Sequence, residues 1–500
     1  MKIYQKIFFV LIVFFIFVSC SGKVNNNTRP ELRYGFTTEP STLDPLSPSN
    51  TADGRSILFN VFEGLLRIGT DGRLLPSLAE SWTIEESGKI YTFFLREGVR
   101  FHDGSLLSSE DVKFTLETAA AAGFRGLNRI AKIETPGHNK IKLSLNERDP
   151  DLLYFLTVGI VKAGNTNREK DIIGTGPFLI DEYRVQQFLV LRKFDDYWQK
   201  DLPGLEKVTI VFLANTDALA TALLSGSIDG ARLTGSQIYQ LPKNQFDIFQ
   251  AFSASVQLMA LNNTAVPFDD VRIRRAINYG IDIQGIIDAA FFGMGEPSGS
   301  PLIPGLSAWY EKSLKNPYPQ DIVKARALLA DAGYGTDGQK LSLEISVPSN
   351  YTMHVDTAQV IVNQLSAIGI EASIKLVDWA TWLSVVYREK QYQATIISLD
   401  SRNTSPYSFL ARYYSGASQN FLNFMNEDFD RVFDASLAET DEDKQTELLK
   451  EAQRIISDNA AGVFIQDITY SEVFRKGMYT GILNYPLYIT DFASIRKKER

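Results

Sequence analysis

Apolar positions recur along this chain with two different spacings. Short runs rich in β-branched and aromatic residues predict strands at "IYTFFLR" (Ile90–Arg96), "KVTIVFL" (Lys207–Leu213), "LSLEISV" (Leu341–Val347) and "QATIIS" (Gln393–Ser398). Between such runs lies helical spacing. From Ser108 to Gly123, Ser108 can cap, Asp111 sits three residues on, Val112, Leu116 and Ala119 form an inner stripe, and Gly123 ends the helix. Asp321–Gly333 repeats the plan, with Ile322, Ala325, Leu328 and Leu329 inward. Thr440–Ala460 predicts a longer helix with Leu448, Leu449, Ala452, Ile455 and Ile456 on one face. In "PFDDVRIRRAINYGID", Asp269 or Asp270 can cap a helix whose Val271, Arg274 (through its stem), Ile277 and Ile281 share a stripe. Strands and helices mixed in this way indicate an α/β or α+β class.

The first twenty residues break the pattern. Lys2 and Lys6 precede an unbroken apolar run from Ile7 to Val18, which ends at Ser19-Cys20. That order is a secretory signal, and the run is shorter than the about 20 residues a bilayer span takes. Cys20 is the single cysteine of the chain. Its place at the end of the apolar run resembles a lipobox, in which the cysteine is lipidated and becomes the mature N-terminus. Phe17 stands where the commonest form has Leu. No internal disulfide can form. Residues 21–30, "SGKVNNNTRP", are polar and aperiodic and predict a flexible tether.

Composition narrows the remaining chain. At 500 residues, 44% apolar and 22% charged, it is long enough for two or three domains with sizeable cores. No second long apolar run, short-period repeat or low-complexity tract follows the leader. The formal net charge is −8, and loss of Lys2 and Lys6 with the leader makes the mature chain more acidic still. An acidic chain without basic blocks argues against nucleic acid as a partner.

The search for catalytic chemistry returns little. The chain has 3 histidines, His102, His138 and His354, and none has another His or Cys at ligand spacing. His102 lies in "RFHDGS", which predicts a turn with Asp103-Gly104. There is no G-x-S-x-G elbow and no P-loop, and "GMGEPSG" (Gly293–Gly299) has the wrong spacing for a dinucleotide fingerprint. Paired carboxylates of a glycosidase stay open, though no acid is singled out. The expectation is a protein that is not an enzyme and holds no metal or cofactor.

Several stretches together resemble the bacterial extracellular solute-binding proteins of family 5, the oligopeptide-, dipeptide- and nickel-binding proteins of ABC importers. They are "TEPSTLDP" (Thr38–Pro45), the long stretch Val61–Leu116, "GTGPFLI" (Gly174–Ile180), "FDDYWQ" (Phe194–Gln199), "LNNTAVPFDDVRIRRAINYGID" (Leu261–Asp282), "DIVKARALLADAG" (321–333) and "VDWATWL" (Val377–Leu383). They follow in the expected order over nearly the whole mature chain. The resemblance implies an α/β, bilobed periplasmic-binding-protein-like fold of the large, three-domain class II type, with a hinge between lobes. It assigns 1–19 to the signal peptide, 20–30 to the lipidated tether, and 31–55, 171–256 and 472–500 to the first lobe. Residues 56–170 form an extra subdomain of that lobe, and 257–471 the second lobe. The segments near Val256–Asn262 and Gln466–Val473 are candidates for the strands that cross between lobes.

The resemblance also implies a site. Peptide binders of the family hold an extended peptide between two strands by main-chain hydrogen bonds. Those strands match Glu39–Ser41, with Glu39 and Ser41 as candidates, and Ser398–Asp400. Trp379 and Trp382 fall where the family places an aromatic at the pocket wall, although either could equally be core. The aspartate that pairs with a peptide's amino terminus in the family aligns with Arg402. Arginine suits a carboxylate or phosphate instead. Asp400 shares a strand face with Arg402 and could replace the anchor. Ser401 and Asn403 complete the candidate set. The implied function is a lipid-anchored, monomeric receptor that delivers peptide to an ABC permease from the periplasm or the outer surface. The alternatives are a non-peptide anionic solute or sugar, or a sensor or adhesin on the same fold. Nickel is disfavoured by the scarcity of histidine.

Overall fold

A computed structural model describes residues 30–124, 126–335, 338–400 and 405–498. The expected periods become the expected elements. The strands form at Ile90–Leu95, Lys207–Phe212, Leu341–Pro348 and Ala394–Asp400, and the helices at Ser109–Ala121, Val271–Gly280, Ile322–Asp331 and Glu442–Asp458. The caps act as their chemistry requires. Asp111 accepts from both the amide and the hydroxyl of Ser108, and Asp270 rather than Asp269 accepts from Arg272 N. Arg274 buries more than its stem, because its guanidinium donates to the carbonyls of Phe268, Asp269, Asn459 and Ala460.

Two large sheets define two lobes. The first has seven strands in the spatial order Phe246–Ala251, Tyr470–Arg475, Gly230–Leu233, Glu31–Phe36, Lys207–Phe212, Phe188–Lys193 and Phe178–Arg184. The second has six, in the order Glu296–Pro297, Gly462–Asp467, Ser255–Leu261, Ala394–Asp400, Leu341–Pro348 and Ile370–Val377. Helices cover both faces of this second sheet, so its central strands are apolar on both sides. Alternate residues of Ser255–Leu261 feed two cores: Leu258 and Ala260 pack with Phe429 and Leu449, while Met259 and Leu261 pack with Ile277 and Ile361.

A four-stranded antiparallel sheet, ordered Ala79–Glu85, Ile90–Leu95, Lys140–Leu145 and Ile130–Gly137, carries the helix Ser109–Ala121. Its Phe93 and Leu116 belong to the same apolar cluster as Tyr34 and Val208 of the seven-stranded sheet. "GTGPF" is where this unit rejoins the lobe. A Cβ on Gly174 or Gly176 would run into the carbonyl of Val61, so only glycine allows the approach. His102 is a joint in the same place. Its Nδ1 accepts from Gly174 N at 3.2 Å, its Nε2 lies 3.0 Å from Gly176 O, and burial pushes its pKa down to about 4.

The chain passes between the two large sheets twice, at 252–254 and 468–469. The second passage falls inside the expected Gln466–Val473. The first lies just before Val256, and 256–261 runs wholly within the second sheet. A further difference concerns Glu39–Ser41, expected as a strand. The strand ends at Phe36, and 39–41 is irregular backbone. The Glu39 carboxylate accepts from Tyr183 Oη at 2.6 Å and Gln186 N at 2.8 Å, and Ser41 Oγ donates to Ser49 O at 3.0 Å. Local side-chain bonds of this kind compete with a ladder.

Candidate functional site

The strand Ala394–Asp400 is paired unevenly. One edge runs antiparallel to Ser255–Leu261 over its whole length, from Ala394 opposite Leu261 to Asp400 opposite Ser255. The other edge pairs with Leu341–Pro348 only at Ala394 and Thr395. Leu341–Pro348 then peels away with Ile370–Val377, which it follows as far as Pro348 opposite Val377. Ile396–Asp400 therefore has no strand partner on that side among the described residues. Unpaired strand edges are templates for a further strand.

Two tryptophans stand where the strands part. Asp378 caps the turn that presents them, accepting from Thr381 N at 3.0 Å. Trp382 is only 3% exposed and donates from Nε1 to Thr395 Oγ1 at 2.9 Å, and that hydroxyl donates to Ser346 O at 2.6 Å. Trp382 thus plugs the fork between the strands. Trp379 stacks on it with ring centroids 5.1 Å apart and planes 3° apart, and is 37% exposed. Tyr351, equally exposed at 37%, meets Trp379 edge-on at 5.5 Å. The two tryptophans take different parts: Trp382 is core, and Trp379 offers an aromatic face beside the open strand edge.

Beneath that edge lies a buried polar chain. Gln257, opposite Ser398, donates to His354 Nδ1 at 3.1 Å and Thr357 Oγ1 at 3.0 Å, and accepts from Gln466 Nε2 at 2.8 Å. Burial pushes the His354 pKa down to about 4, so the ring is neutral and its Nδ1 accepts. Ser398 Oγ and Gln466 Oε1 are buried without a hydrogen-bond partner. At the strand's end Asp400 is exposed, and its carbonyl accepts from Arg412 Nη2 at 2.5 Å. Ser401, Arg402, Asn403 and the lipidation candidate Cys20 lie outside the described residues.

The first lobe holds a buried ionic cluster behind Thr38. Arg232 is sandwiched between Tyr488, 3.8 Å from the ring centre, and Tyr470, at 4.6 Å. It donates to Glu472 Oε1 at 3.2 Å and Thr490 Oγ1 at 2.6 Å, and its Nη1 lies 3.6 Å from Asp53. Asp53 in turn accepts from Thr38 N at 3.1 Å, just before Glu39. Burial raises the Asp53 pKa, against the pull of Arg232. Among the described residues no hydrogen bond joins Glu39–Ser41 to Ala394–Asp400. The lobes meet elsewhere. Asp151, beside the four-stranded unit, accepts from Ser408 Oγ at 2.9 Å and from Ser405 Oγ, and Arg148 donates to the carbonyls of Ala438 and Glu439 at 2.7 and 2.8 Å. Tyr239 and Phe292 touch across the lobes at 6.2 Å.

Periodicity gives no hint of Tyr351, Gln257 or Arg412, and the sequence shows His354 only as a histidine without a partner at metal-ligand spacing. Their shared position depends on which strands pair, which periodicity does not carry. No group of three or more His, Cys, Asp or Glu gathers as a metal site among the described residues. The arrangement can hold an extended chain by main-chain bonds and stack a side chain on Trp379.

Residues 73–421 match the family model described as bacterial extracellular solute-binding proteins, family 5 Middle. The di/tripeptide-binding protein 1 of Pseudomonas aeruginosa is 28% identical over 484 residues, covering 87% of this chain and 88% of that protein. The glutathione-binding protein GsiB of Escherichia coli K12 is 30% identical over 353 residues, 68% of each chain. Among solved structures, AgaA of A. tumefaciens R10 in complex with agropinic acid superposes with a TM-score of 0.67 at 27% identity, covering 94% of this chain and 99% of that one.

Proposed function

The chain belongs to the bacterial extracellular solute-binding proteins of family 5, and from that premise we propose that it is the lipid-anchored receptor of an ABC importer that captures a short peptide between its lobes and delivers it to the permease. The observation that carries the peptide reading is the open edge Ile396–Asp400 beside Trp379. A peptide added there gains main-chain hydrogen bonds that do not depend on its sequence, while Trp379 covers one side chain. Closing the second face about the hinge buries the ligand, which permits roughly micromolar or tighter binding without a large protein interface. Cys20 supplies the anchor on this reading. Conversion of Cys20 to Ser should release the mature protein from the membrane fraction.

A second reading, a non-peptide anionic solute, is favoured by Arg412, which places a guanidinium at the end of the open edge. The relative that binds agropinic acid lends it support. The test is thermal unfolding of the purified protein with di-, tri- and tetrapeptides, the same peptides amidated at the C-terminus, glutathione, and small organic acids. A ligand at 100 times its Kd raises stability by about 2.7 kcal/mol, easily seen as a melting shift. Shifts with peptides support the first reading. Shifts with organic acids and none with any peptide overturn it in favour of the second.

A further inference from the structure

A buried carboxyl joins the two passages between the lobes. The first passage carries a backbone irregularity. Ala254 has φ +62°, a left-handed conformation that costs an L residue, and it is buried. The residue before it is turned towards the second passage: Ser253 donates both its amide, at 3.0 Å, and its hydroxyl, at 2.8 Å, to Asp467 Oδ1. The Ser253 hydroxyl also lies 3.1 Å from that of Ser255, so both neighbours of Ala254 belong to one cluster. Asp467 is the last residue of its strand before the second passage and is fully buried, and its Oδ2 has no hydrogen-bond partner. One more bond ties the passages, from Gln250 Nε2 to Thr469 Oγ1 at 3.0 Å.

We propose that Asp467 is a proton-sensitive clasp of the hinge: as a carboxylate it holds the left-handed kink at Ala254 and with it one setting of the lobes, and on protonation the kink relaxes to another. A carboxylate is an acceptor only, and Ser253 presents two donors to one of its oxygens. A protonated carboxyl is a weaker acceptor and must place a donor of its own. Burial pushes the Asp467 pKa up to about 7, against the Ser253 and Ser255 donors that pull it down. The titratable groups facing it are Glu296, its cross-strand neighbour, and Tyr470, on the strand beyond the passage. Glu296 is ion-paired to Lys315 at 2.7 Å, and its charge favours the proton on Asp467. The clasp is therefore charged above about pH 7 and uncharged below. The device is independent of which solute the cleft takes.

The test reads the lobes directly, without ligand. Spin labels on Leu224→Cys, in the first lobe, and Ala435→Cys, in the second, are both on exposed helical positions; a Cys20→Ser background keeps the labelling specific. The interlobe distance distribution of the wild-type background should shift by several ångströms between pH 5.5 and pH 8.5. Asp467→Asn should give one distribution at both pH values, matching the wild type at pH 5.5. Ala254→Gly, which removes the strain and leaves Asp467 in place, should shrink the wild-type shift. A wild-type distribution that does not move with pH overturns the proposal whether or not Asp467→Asn folds, and so does an Asp467→Asn protein that still shifts. Absence of any peptide shift in the thermal assay would remove the peptide reading and leave this result standing.

Discussion

At the scale of single residues, the sharpest contrast is between Trp379 and Trp382. They sit three positions apart on one helical turn, and the sequence leaves either as pocket wall or core, with Trp379 the better match to the family's pocket-wall aromatic. Stacked rings of one residue type share composition and spacing, and only the partner of each indole separates them. Trp382 has Thr395 and the core, whereas Trp379 has Tyr351 and water. Trp382→Ala should cost about 3–5 kcal/mol, seen as a fall in melting temperature, because it empties the fork between two strands and removes the bond that Thr395 Oγ1 accepts. Trp379→Ala should leave the melting temperature nearly unchanged and weaken binding of a stabilising peptide about tenfold in calorimetry. Loss of stability without loss of affinity in Trp379→Ala would move that ring into the core. Glu39 carries the opposite lesson. Its position was legible by resemblance, but its carboxylate is committed to Tyr183 and Gln186, and nothing in the local sequence announces a partner so distant in the chain.

At the scale of elements, most of the fold was legible, and of the candidate site the resemblance supplied Trp379 and the strand Ser398–Asp400 but not the open edge. Caps such as Ser108 with Asp111, or Asp321 ahead of Ile322–Asp331, are local chemistry, and local chemistry is written in order along the chain. The strand Ala394–Asp400 was legible as a strand for the same reason. Its open edge was not. A period of two tells which face a residue takes, and says nothing about which neighbour pairs, where the pairing stops, or what peels away. Hydrogen exchange tests the edge. Alternate amides of Ile396–Asp400, those pointing away from Ser255–Leu261, should exchange faster than their neighbours in the ligand-free protein and become protected when a peptide binds. Protection of the whole strand before any ligand is added would show that the edge is already covered.

At the scale of the whole molecule, the crossing of the chain between sheets came from family resemblance and not from periodicity, since pairings between strands hundreds of residues apart leave no local trace. The lobes are also tied away from the hinge. Asp151 with Ser405 and Ser408, and Arg148 with the carbonyls at Ala438 and Glu439, bond the four-stranded unit to the second lobe. Burial raises the Asp151 pKa, against the two serine donors. These contacts should make the two lobes unfold together. In scanning calorimetry, Arg148→Ala combined with Asp151→Ala should broaden or split the unfolding transition, since cooperative units joined by fewer contacts melt more independently. A single sharp transition, merely lowered, would assign the coupling to the passages and the remaining contacts, Tyr239 with Phe292 and Tyr154 with Trp309.

The order of strands in the seven-stranded sheet has a consequence for how the protein is made. Tyr470–Arg475 lies between Phe246–Ala251 and Gly230–Leu233, so the sheet is interrupted until this late segment is available. The second lobe is in the same position, since Gly462–Asp467, just ahead in the chain, fills the gap between Glu296–Pro297 and Ser255–Leu261. The first lobe must wait with an unfilled slot beside Gly230–Leu233. One late stretch, 462–475, therefore completes both sheets, and neither lobe can reach its full strand complement without it.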